Sequence, residues 1–168
     1  METTSVVEKG SSATPYWRGT VFGIHICPRG ILPMQSVPDA NLLEECGIEG
    51  DRYARNTGYY SEEGFGHQIS FFESEVLDTL RRDHNIEFGP EEHRRNITTR
   101  GVPLTHMIGT RFKIGDAVFL GTKFSTPCKH LVEVTGKEVF NPLINRSGLY
   151  ARILKGGRIS VGDVIEAC

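Results

Sequence analysis

Arg111-Phe-Lys-Ile-Gly-Asp-Ala-Val118 and Arg158-Ile-Ser-Val-Gly-Asp-Val-Ile165 are one pattern written twice. In each copy apolar and polar residues alternate, Gly-Asp turns the chain, and apolar residues resume. Alternation with a period of two marks a strand with one buried face. Gly-Asp between two such runs signals a hairpin. Two hairpins far apart in the chain leave open edges unless the sheet closes on itself. The expected fold is therefore mainly β with a few short helices (α+β), arranged as a closed or partly closed β-barrel. Eight residues are too few for a solenoid repeat.

The rest of the composition agrees with a barrel. Nineteen glycines in 168 residues suit a chain of short strands and many turns. That length buries a proper core as one unit. Residues 1–18 read as a flexible tail, and 19–168 as a single domain. A net charge of −2 with 24% charged residues excludes a generic basic face for nucleic-acid polymers. No apolar run approaches the roughly 20 residues of a membrane helix. Residues 1–19 lack the apolar stretch of a secretion signal. The four cysteines, Cys27, Cys46, Cys128 and Cys168, form no close pair. A cytoplasmic location with free thiols is the expectation.

Working outward, residues 20–26 read as a strand, with Phe22, Ile24 and Ile26 on one face and Val21, Gly23, His25 and Cys27 on the other. An extended piece is expected over 31–37, a loop over 47–52 and an exposed excursion over 56–66. Gln68 to Ser70 reads as a short strand running into a helix. Ser70 and Glu73 have the spacing of a capping box. Phe72, Val76 and Leu80 then share a helical face. Arg81, Arg82 and His84 complement the helix dipole before an end near Asn85.

Thr126-Pro-Cys-Lys-His-Leu-Val-Glu-Val-Thr-Gly136 reads as a second helix. Thr126 is placed as N-cap, Pro127 at N1 and Cys128 in the first turn, with Gly136 closing. Free N–H groups at a helix start, with Lys129 and His130 beside them, favour an anionic sulfur. The alternative is a buried cysteine filling space. Arg94-Arg-Asn-Ile-Thr-Thr-Arg-Gly101 is a basic, donor-rich loop that suits a phosphate; a solvated turn is its bland alternative. Arg146-Ser-Gly-Leu-Tyr-Ala-Arg152 is a third polar approach to a strand, and His67 is placed at a pocket wall. Glu44-Glu45, Glu62-Glu63 and Glu91-Glu92 read as solvated. His25, Cys27, Cys128 and His130 are ligand types that a zinc ion accepts, without a recognised spacing.

Taken in order, several of these segments resemble the MOSC family, named after the C-terminal domain of molybdenum cofactor sulfurase. The matching pieces are Gly50-Asp-Arg52, Asn96-Ile-Thr-Thr-Arg-Gly101, Ile108-Gly-Thr-Arg-Phe-Lys-Ile-Gly-Asp116, Thr126-Pro-Cys128, Gly148-Leu-Tyr-Ala-Arg152 and Val161-Gly-Asp-Val164. The resemblance spans roughly residues 19–166. It implies a barrel and binding of the molybdenum cofactor (molybdopterin), with Cys128 as metal ligand or sulfur carrier. It places Asn96, Thr98, Thr99 and Arg100 near the cofactor, and Arg52 and Arg152 in the other polar segments. With His67, Arg95 and Lys129 they complete the expected binding set. Many relatives carry Glu where this chain has Arg95, which reverses a charge. No pyridoxal-phosphate domain is present, so that cofactor is not expected.

The activity so implied is reduction of N-hydroxylated small molecules or base analogues, with electrons from an external donor protein. The competing readings are persulfide carriage or cofactor handling through Cys128 with a sulfur-donor partner, the zinc site, and a binding module without turnover. A small-molecule substrate is expected, with neither nucleic acid nor membrane as partner.

Overall fold

The computed structural model describes residues 8, 16–55 and 67–168. Most of the expected tail and the 56–66 excursion lie outside the described residues. The first strand, β1 (Arg18–Ile26), starts one residue inside the expected tail boundary. The chain continues through β2 (Gln35–Val37), β3 (Asp39–Leu43), β4 (Gly47–Ile48), β5 (Ile69–Glu73), helix α1 (Ser74–His84) and β6 (Ile97–Arg100). Then come β7 (Arg111–Ile114), β8 (Ala117–Phe124), helix α2 (Lys129–Thr135), β9 (Leu149–Lys155), β10 (Gly157–Ser160) and β11 (Val164–Ala167).

Seven strands close into a barrel in the order β1-β6-β5-β9-β8-β7-β11 and back to β1. The barrel is mixed because β5 and β6 run parallel. Parallel neighbours need a crossover, and α1 supplies it. One edge of β1 serves two partners: Arg18 to Thr20 face β11, and Ile24 to Ile26 face β2. A smaller sheet, β10-β3-β4, lies beside the barrel.

The two Gly-Asp copies part company here. The first is a hairpin with a two-residue loop, Ile114 pairing Ala117 across Gly115-Asp116. Gly115 sits at φ +57°, where a side chain is disfavoured. The second copy turns without pairing its own arms. β10 joins the small sheet through β3, whereas β11 joins the barrel. Asp163 caps that turn from Ser160 N–H (2.8 Å), and the turn docks on β1 through Gly162 N–H to Val21 O (2.8 Å). The second hairpin expectation is thus corrected. The same turn chemistry hands the chain between sheets and closes the barrel.

Two further corrections come from backbone geometry. A β-bulge between Val21 and Gly23 shifts the phase of β1. One extra residue inverts the facing of all that follows. Val21 and Ile24 therefore both enter the core, and Phe22 is left 46% exposed. The capping box at Ser70 does not form either. The strand continues through Glu73, which is the N-cap of α1. Ser70 instead bonds Asn96 across the sheet. The run Ile69-Ser-Phe-Phe is buried on both faces and belongs to a central strand, not a helix start. The end of α1 is as expected, with Asn85 in the left-handed region (φ +53°).

The barrel interior is apolar and aromatic. Phe71, Phe112 and Phe119 form a triangle of rings with centroids 5.2–5.5 Å apart. A second cluster joins α1 and α2 outside the barrel through Phe72, Val76, Leu80, Leu131 and Leu143. No helix among the described residues is long and apolar enough to cross a membrane.

Candidate functional site

A cavity of about 40 Å³ opens at one end of the barrel, lined by Gly30, Arg52, Tyr53, Arg94, Arg95, Cys128, His130, Leu131 and Tyr150. Several waters fill such a space. Its wall is built from the β1–β2 connection, the segment after β4, the approach to β6, the start of α2 and the start of β9.

Cys128 stands two helix positions earlier than its sequence placed it, at the N-cap instead of N2. Its backbone is extended (φ −136°, ψ 161°) and it is the N-cap of α2, with Leu131 N–H bonding its carbonyl (3.1 Å). Thr126 and Pro127 precede the helix and do not cap it. The expected end at Gly136 (φ +66°) is found. Cys128 is partly exposed, so it is not a fully buried filler, and all four cysteines are free thiols.

Three arginines converge on the cavity. Arg52 is 4% exposed and pairs with Asp51, which is fully buried, at 3.1 Å. Its other N–H groups reach Arg94 O (2.7 Å), Tyr53 Oη (3.4 Å) and the sulfurs of Met34 and Cys27. Burial opposes charge on Arg52, but the facing Tyr53 and Asp51 outweigh it and hold its pKa above the usual range. Asp51 also accepts the Cys27 and Tyr53 N–H groups, so one carboxylate organises both chain segments. Arg94 has a left-handed backbone (φ +62°) and donates to Leu32 O (2.7 Å) and Gly30 O. Burial and the neighbouring Arg52 charge lower its pKa.

Arg95 is held from two sides. Its Nε and Nη2 donate to Ser147 O (3.2 Å) and Ser147 Oγ (3.4 Å). Ser147 is placed by Gly148, whose φ of +101° and contact with Phe71 O leave no room for a side chain. The Arg95 amide donates to His93 Nδ1 (2.9 Å). From that bond the polarity of a whole chain follows. A backbone N–H only donates, so His93 Nδ1 accepts and Nε2 carries the proton. Nε2–H then donates to Thr98 Oγ1 (2.7 Å), whose hydroxyl donates to His25 Nε2 (2.8 Å). His25 Nδ1–H donates to Ser36 Oγ (2.9 Å). In this arrangement both rings are neutral. Burial drives the His25 pKa down to about 4, and burial, with His25 and the Arg95 and Arg52 guanidiniums nearby, drives His93 well below its usual value.

An aromatic wall completes the cavity. His67 stacks on Tyr150 at 3.7 Å and 6°, and Tyr53 meets His67 edge-on at 5.8 Å. The guanidinium of Arg95 lies 5.6 Å from the Tyr150 ring centre. Burial raises the Tyr150 pKa, but the charges of Arg95, Arg52 and Lys123 outweigh it and pull it below normal. Burial, then the charges of Lys123, Arg95 and Arg52, lower His67 to about 3.

Of the residues the sequence singled out, Arg52, Arg95 and Cys128 line the cavity together, and His67 backs Tyr150. Asn96 and Thr98 are fully buried behind it. Asn96 joins β5 to β1 through Ser70 and His25 O. Thr99 bonds Phe72 O and does not reach the cavity. Arg100 bonds Ser74 Oγ and covers Phe22. Arg152 forms a two-bond pair with Glu45 on the exterior. Lys129 is exposed. A period of two explains these misses: alternate residues of a loop-to-strand motif point away from the site. Sequence reasoning did not single out Tyr53, Tyr150 or Gly30 as site residues. Tyr53 follows the Gly50–Arg52 motif and Tyr150 lies within the Gly148–Arg152 motif, which was the available signal; Gly30 had none. The zinc arrangement does not form, because both His25 nitrogens are engaged and no group of three metal-ligating residues occurs among the described residues.

The fold and this arginine-rich cavity beside a cysteine define a class. The MOSC domain model matches residues 58–166, and the chain belongs to the MOSC family. Among solved structures, the YuaD protein of Bacillus subtilis superposes with a TM-score of 0.75 at 19% identity, covering 89% of this chain and 97% of that one. YiiM from Geobacillus stearothermophilus gives 0.70 at 17%, covering 89% and 75%. YiiM from Escherichia coli gives 0.64 at 18%, covering 92% and 70%. No curated protein matches the sequence.

Proposed function

We propose that this protein binds the molybdenum cofactor with Cys128 as the protein's ligand to the metal, and reduces N-hydroxylated small molecules or base analogues. The observation that carries the reading is Cys128 opening onto a cavity with three buried arginines and one buried carboxylate, Asp51. Buried cations in such excess call for an anion. The donor set fits a phosphorylated pterin whose metal accepts a soft thiolate. When bound, the cofactor supplies two-electron chemistry. The net change is R–NHOH + 2 e⁻ + 2 H⁺ → R–NH₂ + H₂O, with electrons from a separate donor protein.

The chain's own residues then have distinct tasks. Cys128 orients the metal end. Arg52 and Arg94 shape the cavity and supply its positive field. Tyr150 presents its phenol on the same cavity wall. His67 and Tyr53 exclude water from that side.

The test is molybdenum and pterin content of protein expressed with an intact cofactor pathway. Wild type is expected to carry both, and Cys128→Ala to lose most of its molybdenum. Equal molybdenum in the two sinks the ligand role. Persulfide on Cys128 without molybdenum replaces the reading with sulfur carriage.

A further inference from the structure

The three cavity arginines differ in what their N–H groups have left to give. Arg52 is spent on Asp51, Tyr53 and Arg94 O, and Arg94 on two carbonyls of the β1–β2 connection. Arg95 is different. It is 8% exposed, its Nε and Nη2 are taken by Ser147, and Nη1 has no hydrogen-bond partner among the described residues. None of the described ion pairs reaches it, the buried pair being Arg52–Asp51. A buried guanidinium without a carboxylate is costly unless a ligand completes it. The cavity that it lines also holds Cys128 and Tyr150.

We propose that Arg95 is a specificity-determining residue that takes an acid group of the substrate, a carboxylate, and so presents the substrate to Cys128's side of the cavity. The proposal rests on the substrate-binding reading of the same cavity. One open nitrogen with two N–H groups and one positive charge matches a monoanion. The Tyr150 ring, 5.6 Å from the Arg95 guanidinium, gives this wall of the cavity an aromatic neighbour for a conjugated acid. The anchor is rigid, since Ser147 fixes the side chain and His93 fixes the amide, and rigidity lowers the cost of binding.

Benzoate is the probe, with benzamide as its neutral counterpart. Each is titrated by calorimetry into wild type, Arg95→Gln and Arg95→Lys, with and without cofactor loaded. Wild type is expected to bind benzoate in both states. Arg95→Gln weakens it by about tenfold or more, the ratio that ~1.4 kcal/mol represents. Arg95→Lys keeps the charge and loses less, and benzamide is indifferent to all three. Equal benzoate affinity in wild type and Arg95→Gln, or no benzoate binding in either state, overturns the proposal. Displacement of benzoate by cofactor loading also overturns it, because Nη1 then serves the cofactor's phosphate. Molybdenum content measured on the same preparations judges the cofactor reading separately. If no preparation takes up molybdenum, the cofactor-free titrations decide the role of Arg95.

Discussion

Arg52 and Arg95 are the same residue type, nearly equally buried, on one cavity, yet they belong to different regions of the molecule. Around Arg52 the account is closed: a buried carboxylate, a tyrosine, a carbonyl and two sulfurs use its donors. Around Arg95 it is open among the described residues, with two bonds to Ser147 and Nη1 left without a partner. Burial does not separate a structural cation from a ligand-binding one; the tally of partners does. The first region ties the chain together, and the second waits for a negative charge.

The largest expected effect lies in the closed region. Asp51→Ala strips Arg52 of its carboxylate and releases the Cys27 and Tyr53 N–H groups. Removing one partner of a buried pair costs about 3–5 kcal/mol. Urea unfolding of the variant measures that loss. A loss near zero would mean that Arg52 is as open as Arg95, and the contrast between the two regions would fail.

The second effect is a pH dependence in the histidine chain behind Arg95. His25 titrates near 6.5 when unfolded and at about 4 when folded. Above pH 6.5 the ring is neutral in both states and contributes no slope. Between 6.5 and 4 the unfolded chain takes up a proton that the folded chain refuses, so stability falls as pH falls. At about 1.4 kcal/mol for each pH unit of separation, His25 alone withdraws about 3 kcal/mol by pH 4. His93 and His67 pull in the same direction. Urea unfolding across this range should be steeper for wild type than for His25→Gln. Parallel curves would show that His25 is already charged in the fold, which contradicts the one-way chain from Arg95 to Ser36.

Much of this was legible in the sequence, and the failures share a cause. The Gly115-Asp116 hairpin, the end of α1 at Asn85 and the Gly136 cap are local events, set by residues a few positions apart. The closed barrel followed from edges that had to be covered. The bulge at Phe22, the strand through Glu73 and the unpaired second Gly-Asp copy depend on partners far along the chain. Ser70 has the spacing of a cap, but Asn96, 26 residues on, claims it. At the site, Cys128, Arg52 and Arg95 could be picked by residue type and motif. The stacking of Tyr150 on His67 and the linkage of His93 through Thr98 to His25 could not, because only the closed sheet brings those side chains together.

The smallest expected effect is also the sharpest comparison. Arg95→Gln should change stability by no more than about 1 kcal/mol, because no carboxylate among the described residues is stranded and removing a buried charge without an ion-pair partner among them offsets the lost Ser147 bonds. Arg52→Gln should cost about 3–5 kcal/mol, since it leaves Asp51 buried without its partner. Thermal or urea unfolding of the two variants, made side by side, reads the difference directly. Equal losses would put Arg95 among the residues that hold the fold. A large difference places its cost where a ligand, rather than the protein, is meant to complete it.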